Sequence, residues 1–259
     1  MTKLYLGFDN GFVKLTDGEI LNSRYLLISY YYWRTTDMSV FDKYKYKDDV
    51  IVDSGAFTFL SQKNSKLTKE SMRKYAEKYA DFIIKNKFKY YVELDLDALF
   101  EYEFVLELRE YLENRIGYPS IPIWHSSRGR DEFIKMCKDY DFAGIGGIAG
   151  GEELSRHKDK YSELNKLAKA HGCKIHGMGF TPTVNLNQYG FYTVDSTSWT
   201  AGGRFGAIFK FDRNRLRVLK KPKGKGRLKS KTHLKFITKH NLREWIKYQE
   251  YCDRSGQDV

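Results

Sequence analysis

Eight short apolar or β-branched runs recur along this chain, and helix-patterned stretches separate most of them. Few topologies accept that order. The runs fall at 25–33, 50–53, 90–96, 120–124, 142–145, 174–178, 191–194 and 207–211, and the helical patterns at 68–86 (Thr68 as N-cap), 101–115, 131–140 and 152–171. Strands alternating with helices need crossover connections, and crossovers produce a parallel sheet flanked by helices. Eight such units within 259 residues predict a (β/α)8 TIM barrel, with an open doubly wound sheet as the alternative. The pattern is irregular in two places. The segment after Met178 offers only 184–189 for a helix, and the first 24 residues are assigned to a hairpin. The barrel domain is placed at 1–212, and 213–259 is assigned to a basic loop or arm followed by an outer helix at 241–251.

Composition fits a packed barrel, since 41% of residues are hydrophobic and 16% aromatic. The three cysteines, Cys137, Cys173 and Cys252, are odd in number and far apart, which argues against a disulfide framework and a Cys-rich zinc site. No metal or other cofactor is expected. The longest near-apolar run, 25–33, is too short to span a bilayer, and the expectation is a soluble cytoplasmic protein without a membrane partner.

The formal net charge of +12 is concentrated at 210–240, which holds thirteen Lys or Arg and one acid, Asp212. Its densest part, LKKPKGKGRLKSK at 219–231, mixes like charges with Pro and Gly and predicts an exposed loop. A polyanion that releases counterions is the natural partner of such a cluster. An anionic membrane is disfavoured, because the segment has no apolar stripe to insert. Lys220, Lys221, Lys223, Lys225, Arg227 and Lys229, together with Arg204, are the candidate nucleic-acid backbone contacts.

In a parallel barrel the chemistry sits where the strands end, and these ends are polar or rich in glycine. The second run closes in DSGAF with Asp53, and the third in ELDLD with Glu93, Asp95 and Asp97. The fourth closes in WHS with His125, the fifth in GIGGIAGG, the sixth in HGMGF and the seventh in VDSTSW with Asp195. A lone DSG is commonly a turn and a lone histidine commonly structural. Acids closing three separate strands are harder to read as caps. GIGGIAGG fits a dinucleotide-binding pattern, but the next strand runs into KIHGMGF without the acid such a site needs, so no nucleotide cofactor is expected.

Taken in order, the motifs resemble the queuine and archaeosine tRNA-guanine transglycosylases. DSGAF is similar to their DSGGF, GIGGIAGG to their GIGGLAVGE, HGMGF to their LMGVG, and VDSTSW stands in place of their FDCVLPTR. The resemblance spans roughly 50–200 and implies a barrel. It also implies Asp195 as nucleophile and Asp53 as general acid/base. Asp95 or Asp97 would read the base, Gly146 and Gly147 would give backbone contacts, and Met178 would form a wall. Phe57 and Trp199 are candidates to sandwich a flipped-out base, Trp199 being as readily a core residue.

The chain also departs from that family. It has no Cys-rich zinc motif, Thr58 replaces a glutamine after DSGAF, His125 stands where the family has another glutamine, and only Arg204 follows Asp195 at short range. These features resemble more closely the small transglycosylase-like proteins of phage and bacterial deazapurine systems. The expectation is exchange of guanine in DNA, in preference to tRNA, for a free 7-deazaguanine base. A tRNA enzyme or a non-catalytic nucleic-acid-binding barrel is the alternative.

Overall fold

The computed structural model describes residues 1–61, 67–147, 158–180, 182–202, 206–219 and 231–254, and the side chains of 57, 60, 61, 158 and 231 lie outside that description. Eight strands share one sheet: β1 (Lys3–Phe8), β2 (Leu26–Ser29), β3 (Ile51–Asp53), β4 (Tyr90–Tyr91), β5 (Ile123–Trp124), β6 (Phe142–Ile145), β7 (Lys174–Gly177) and β8 (Thr193–Ser196). Their order is β4-β3-β2-β1-β8-β7-β6-β5, and each neighbouring pair is parallel. The two edges meet through a parallel bridge between Val92 and Ile121. There the Ile121 N–H donates to the Tyr91 carbonyl at 2.8 Å, and the Glu93 N–H to the Ile121 carbonyl at 3.2 Å. The strands therefore close into an α/β barrel in chain order, as the alternating pattern predicts.

The helices are α1 (Gly11–Leu15), α2 (Tyr30–Trp33), α3 (Ala56–Ser61), α4 (Lys69–Asn86), α5 (Tyr102–Ile116), α6 (Gly129–Asp139), α7 (Lys158–Ala170) and α8 (Lys231–Arg254). Thr68 caps α4 as expected: its hydroxyl accepts the Ser71 N–H, and the Ser71 hydroxyl accepts the Thr68 N–H. Among the described residues no helix is long and apolar enough to cross a membrane.

Four expectations are corrected. The first 24 residues are not a hairpin, because KLYLGF forms β1, which pairs in parallel with β2 and β8 at the centre of the sheet order. The run at 207–211 is not a barrel strand. It becomes β9 (Ile208–Asp212), antiparallel to β10 (Arg215–Leu219), in a separate two-stranded sheet. The run at 25–33 divides, with a strand to Ser29 and the short helix α2 after it. The last helix is longer than 241–251 and integral to the barrel. Its Gln249 amide donates to the carbonyls of Leu4 and Tyr25, while Asn241 accepts the Phe209 N–H and donates to the Ala207 carbonyl. One helix thus spans from the start of β1 to the β9–β10 hairpin, and a boundary at 212/213 would cut that hairpin at its turn. After Met178 the sparse segment forms only a 3-10 turn, Leu186–Tyr189.

Alternation along each strand sorts the side chains into two cores. Leu4, Leu6, Leu26, Ile28, Val52, Ala143, Ile145, Ile175 and Val194 pack outward under the helices. Tyr5, Leu27, Ile51, Val92, Ile121 and Ile123 form a second cluster, the plug that fills the barrel. Two residues beyond a plug residue the next side chain is inward again, one layer nearer the strand ends. Asp53 follows Ile51 and His125 follows Ile123 in this way, and Asp195 lies level with the inward Tyr5.

Candidate active site

That upper layer is where the polar residues collect. Asp53 ends β3 half-buried, and its Oδ2 accepts the Gly55 N–H at 2.9 Å, so the DSG turn exists and shapes the acid's loop. Gly55 has φ +78°, and a Cβ there would lie 2.4 Å from the Tyr31 Cβ, so the loops after β2 and β3 meet at a position that only glycine fills without displacement. Burial pushes the Asp53 carboxyl up to about 6, against the pull of the Gly55 N–H and the Ser29 hydroxyl and with help from the charges of Asp195 and Asp95. The charges of Asp195 and Asp95 therefore reach Asp53 at the ends of the strands.

Asp195 lies deeper, with 8% of its surface exposed. Its Oδ1 accepts the Gly179 N–H at 2.6 Å and lies 3.2 Å from Nε2 of the fully buried His176, whose Nδ1 is 2.8 Å from the Thr193 hydroxyl. An ionised carboxylate only accepts, so the His176 contact requires hydrogen on Nε2, leaving Nδ1 to accept from Thr193. Thr193 escapes a reading of strand ends because it opens its strand, and His176, although it begins HGMGF, lies one residue inside the end of β7. The signal available was the spacing from His176 to Met178, which places both on the inward face.

On the opposite wall Asp95 accepts from His125 Nε2, at 2.8 and 3.0 Å to its two oxygens. Desolvation pulls the His125 pKa down, but Asp95 and Asp97 outweigh it and hold the ring above its ordinary value, so His125 favours the cation. Asp97 is engaged by Arg128, whose Nε donates to its Oδ2 at 2.7 Å and whose guanidinium lies 3.9 Å from the Tyr102 ring centroid. Of the two proposed base readers, Asp95 is the one whose charge reaches Asp53. Ligand atoms of Asp95, Asp97 and His125 all lie within 4.8 Å of one another, which suits a cation, but Arg128 already supplies a positive charge to Asp97.

Gly146 explains the glycine-rich strand end. A Cβ there would lie 2.5 Å from His125 Cε1, so the glycine makes room for the histidine ring. Gly147 follows with φ +72° and is exposed, and Met178 packs against the plug while partly open above it. Glu93, also in ELDLD, points away from the mouth. Fully buried, it accepts Arg109 Nε and the Ile123 N–H, both at 2.6 Å, while burial pushes its carboxyl up against the opposing effect of Arg109.

Trp199 is core, since it is fully buried with its indole N–H on the Gly7 carbonyl at 2.9 Å and its ring against Phe12. It cannot sandwich a base. The side chain of Phe57 lies outside the described residues, as do Arg204 and the basic positions Lys220, Lys221, Lys223, Lys225, Arg227 and Lys229.

No family model matches the chain, and no curated protein matches it. Among solved structures the chain is similar to that of a candidate fructose-1,6-biphosphate aldolase from Coccidioides immitis, with 10% identity and a TM-score of 0.56 over 99% of this chain and 91% of that one. At that identity the likeness speaks for the barrel and for nothing in the mouth.

Proposed function

We propose that this chain is a base-exchange transglycosylase that replaces guanine in DNA with a 7-deazaguanine, through a covalent glycosyl intermediate on Asp195. The observation that carries the reading is the pair Asp53 and Asp195. They close two different strands, the charge of Asp195 reaches Asp53, and burial gives Asp53 a proton affinity matched to acid/base work near neutrality. A sugar-cleaving reaction that conserves the glycosyl bond's energy needs this division of labour between two carboxyl groups.

In the proposed reaction a carboxylate oxygen of Asp195 attacks C1′ of the sugar as the bond from C1′ to the guanine nitrogen breaks. The protonated Asp53 gives its proton to the departing base. The ionised Asp53 then takes the ring N–H proton of the incoming base, whose nitrogen attacks C1′ and releases Asp195. The hydrogen bonds from Gly179 and His176 orient the Asp195 carboxylate for attack. Asp95, held in place by His125, supplies acceptor oxygens for the adjacent N–H donors on one edge of guanine and of its 7-deaza analogues, and a base lacking those donors would leave it unsatisfied. Gly147 and Met178 are assigned to the floor and wall of the slot, and Asp97 to positioning through Arg128.

DNA is favoured over tRNA for two reasons. The three cysteines are buried and free, unlike the zinc site of the tRNA enzymes, and the excess positive charge at 210–240 suits an extended phosphate backbone. The test supplies purified protein with single-stranded DNA, duplex DNA or unmodified tRNA, each with labelled guanine or labelled 7-cyano-7-deazaguanine. Label should enter DNA. Label entering only tRNA would overturn the choice of polymer, and label entering none would overturn the reaction.

A further inference from the structure

Next to the mouth lies a groove of about 420 Å³ whose lining includes Arg34, Lys74 and Lys78 with the hydroxyls of Thr35, Ser71 and Tyr75, and no carboxylate. It is attached directly to the loop that carries Asp53. The Tyr75 hydroxyl donates to the carbonyl of Ser54 at 2.6 Å, one residue from the acid. From the other side the Arg34 guanidinium lies 4.1 Å from the Tyr31 ring centroid, and Tyr31 is the residue packed against Gly55.

Among the described residues no buried acid neutralises the cations of this groove. Arg34 and Lys78 have no carboxylate within 4 Å among the described residues, and Lys74 shares only an exposed contact with Glu70 at 3.4 Å. Arg73, one residue away on α4, is by contrast paired with Glu107 at 2.6 Å. A second cavity of about 540 Å³ shares Arg34 and Lys78 but adds Asp37, Asp42 and Asp81, so the acid-free stretch is short and bounded on that side.

We propose that this groove binds the phosphodiester backbone of the nucleic-acid strand whose base enters the mouth. Phosphate oxygens only accept hydrogen bonds, and this lining offers three cations and the Thr35 hydroxyl with no acid to repel them, the Ser71 and Tyr75 hydroxyls being donated to the carbonyls of Thr68 and Ser54. A nucleotide whose base reaches Asp53 and Asp195 leaves its own phosphates at the rim, and one lining residue of the groove, Tyr75, is bonded to Ser54, one residue from Asp53. The acids of the neighbouring cavity turn the strand toward Lys74. The identity of the polymer rests on the base-exchange reading; the site for a phosphate chain rests on the groove's composition and position. The basic positions at 220–230 lie outside the described residues and form no part of this site.

The test uses the full chain carrying Asp195→Asn, which blocks chemistry, and a fluorescent single-stranded oligodeoxynucleotide titrated over a range of salt concentrations. Adding Arg34→Gln and Lys78→Gln should weaken binding and reduce the slope of log affinity against log salt by about 1.4, about 0.7 for each single-strand phosphate contact. Lys166→Gln with Lys169→Gln, exposed positions on α7, should leave the slope unchanged. An unchanged slope in the groove variant, or an equal fall in both pairs, would overturn the site. The wild-type exchange assay separates the two claims. Exchange with an unchanged groove slope removes the groove alone, and a reduced groove slope without exchange keeps the phosphate site and removes the reaction.

Discussion

At the scale of single residues, Asp53 is where environment sets function. Its carboxyl is pushed up to about 6 from 3.8, chiefly by burial, and in the proposed reaction its proton is the one given to the departing base. The first half-reaction should therefore slow as pH rises through about 6, because the acid form is lost. Asp53→Asn should remove that pH dependence and reduce the rate by about 10²–10⁴-fold, read by single-turnover formation of the glycosyl intermediate. Stability gives an independent reading. A native Asp53 holds its proton up to about 6 while the unfolded carboxyl releases it near 4, so the native state binds more protons between those values. Wild-type stability should fall relative to Asp53→Asn as pH rises across that window, by about 2–3 kcal/mol at about 1.4 kcal/mol per unit. Denaturant titrations at the two ends would show it, and parallel curves for the two proteins would count against a raised Asp53.

Among the elements, the weakest closure is the seam between β4 and β5, where one bridge joins strands of two residues each. Glu93 reinforces it. Its backbone N–H pairs with Ile121, and its side chain accepts the Ile123 N–H and Arg109 across the same gap. Removing one partner of a buried pair leaves the other charge without compensation, so Glu93→Ala should cost about 3–5 kcal/mol, measured as a lowered urea midpoint. Replacing Glu107 of the exposed pair Arg73–Glu107 by Ala should move the midpoint far less, because solvent screens that pair. Equal losses would contradict the seam's dependence on Glu93. The sequence shows why this role was hidden. ELDLD reads as alternating acids on one face, yet Glu93 turns outward to Arg109 and Asp95 inward, because the strand is already ending and bending there. Asp53, Asp95, His125 and Asp195 were legible since each closes an apolar run. His176 and Arg128 were not, because their partners come from other elements.

For the whole molecule, the parallel barrel was legible from alternation, but the identities of its first and last strands were not. KLYLGF is short and carries a lysine and a glycine among its apolar residues, and β9 has the same two-residue period as a barrel strand although it pairs in a hairpin. Period alone cannot distinguish those partners. Nor does it show that α8 returns to the start of β1, which ties the last residues of the barrel to the first through Gln249. The closed ring is what brings Asp53 and Asp195 to one mouth, since they belong to strands separated in sequence by most of the barrel. The proposed reaction turns on covalent attachment of Asp195 to the sugar there. Intact-mass analysis under denaturing conditions, after incubation with a guanine-containing oligonucleotide and no incoming base, tests it most directly. The predicted result is a protein heavier by the oligonucleotide less guanine, with the added mass mapping to the peptide that contains Asp195 and absent from Asp195→Asn. No adduct on the wild type, or the same adduct on the variant, would contradict it.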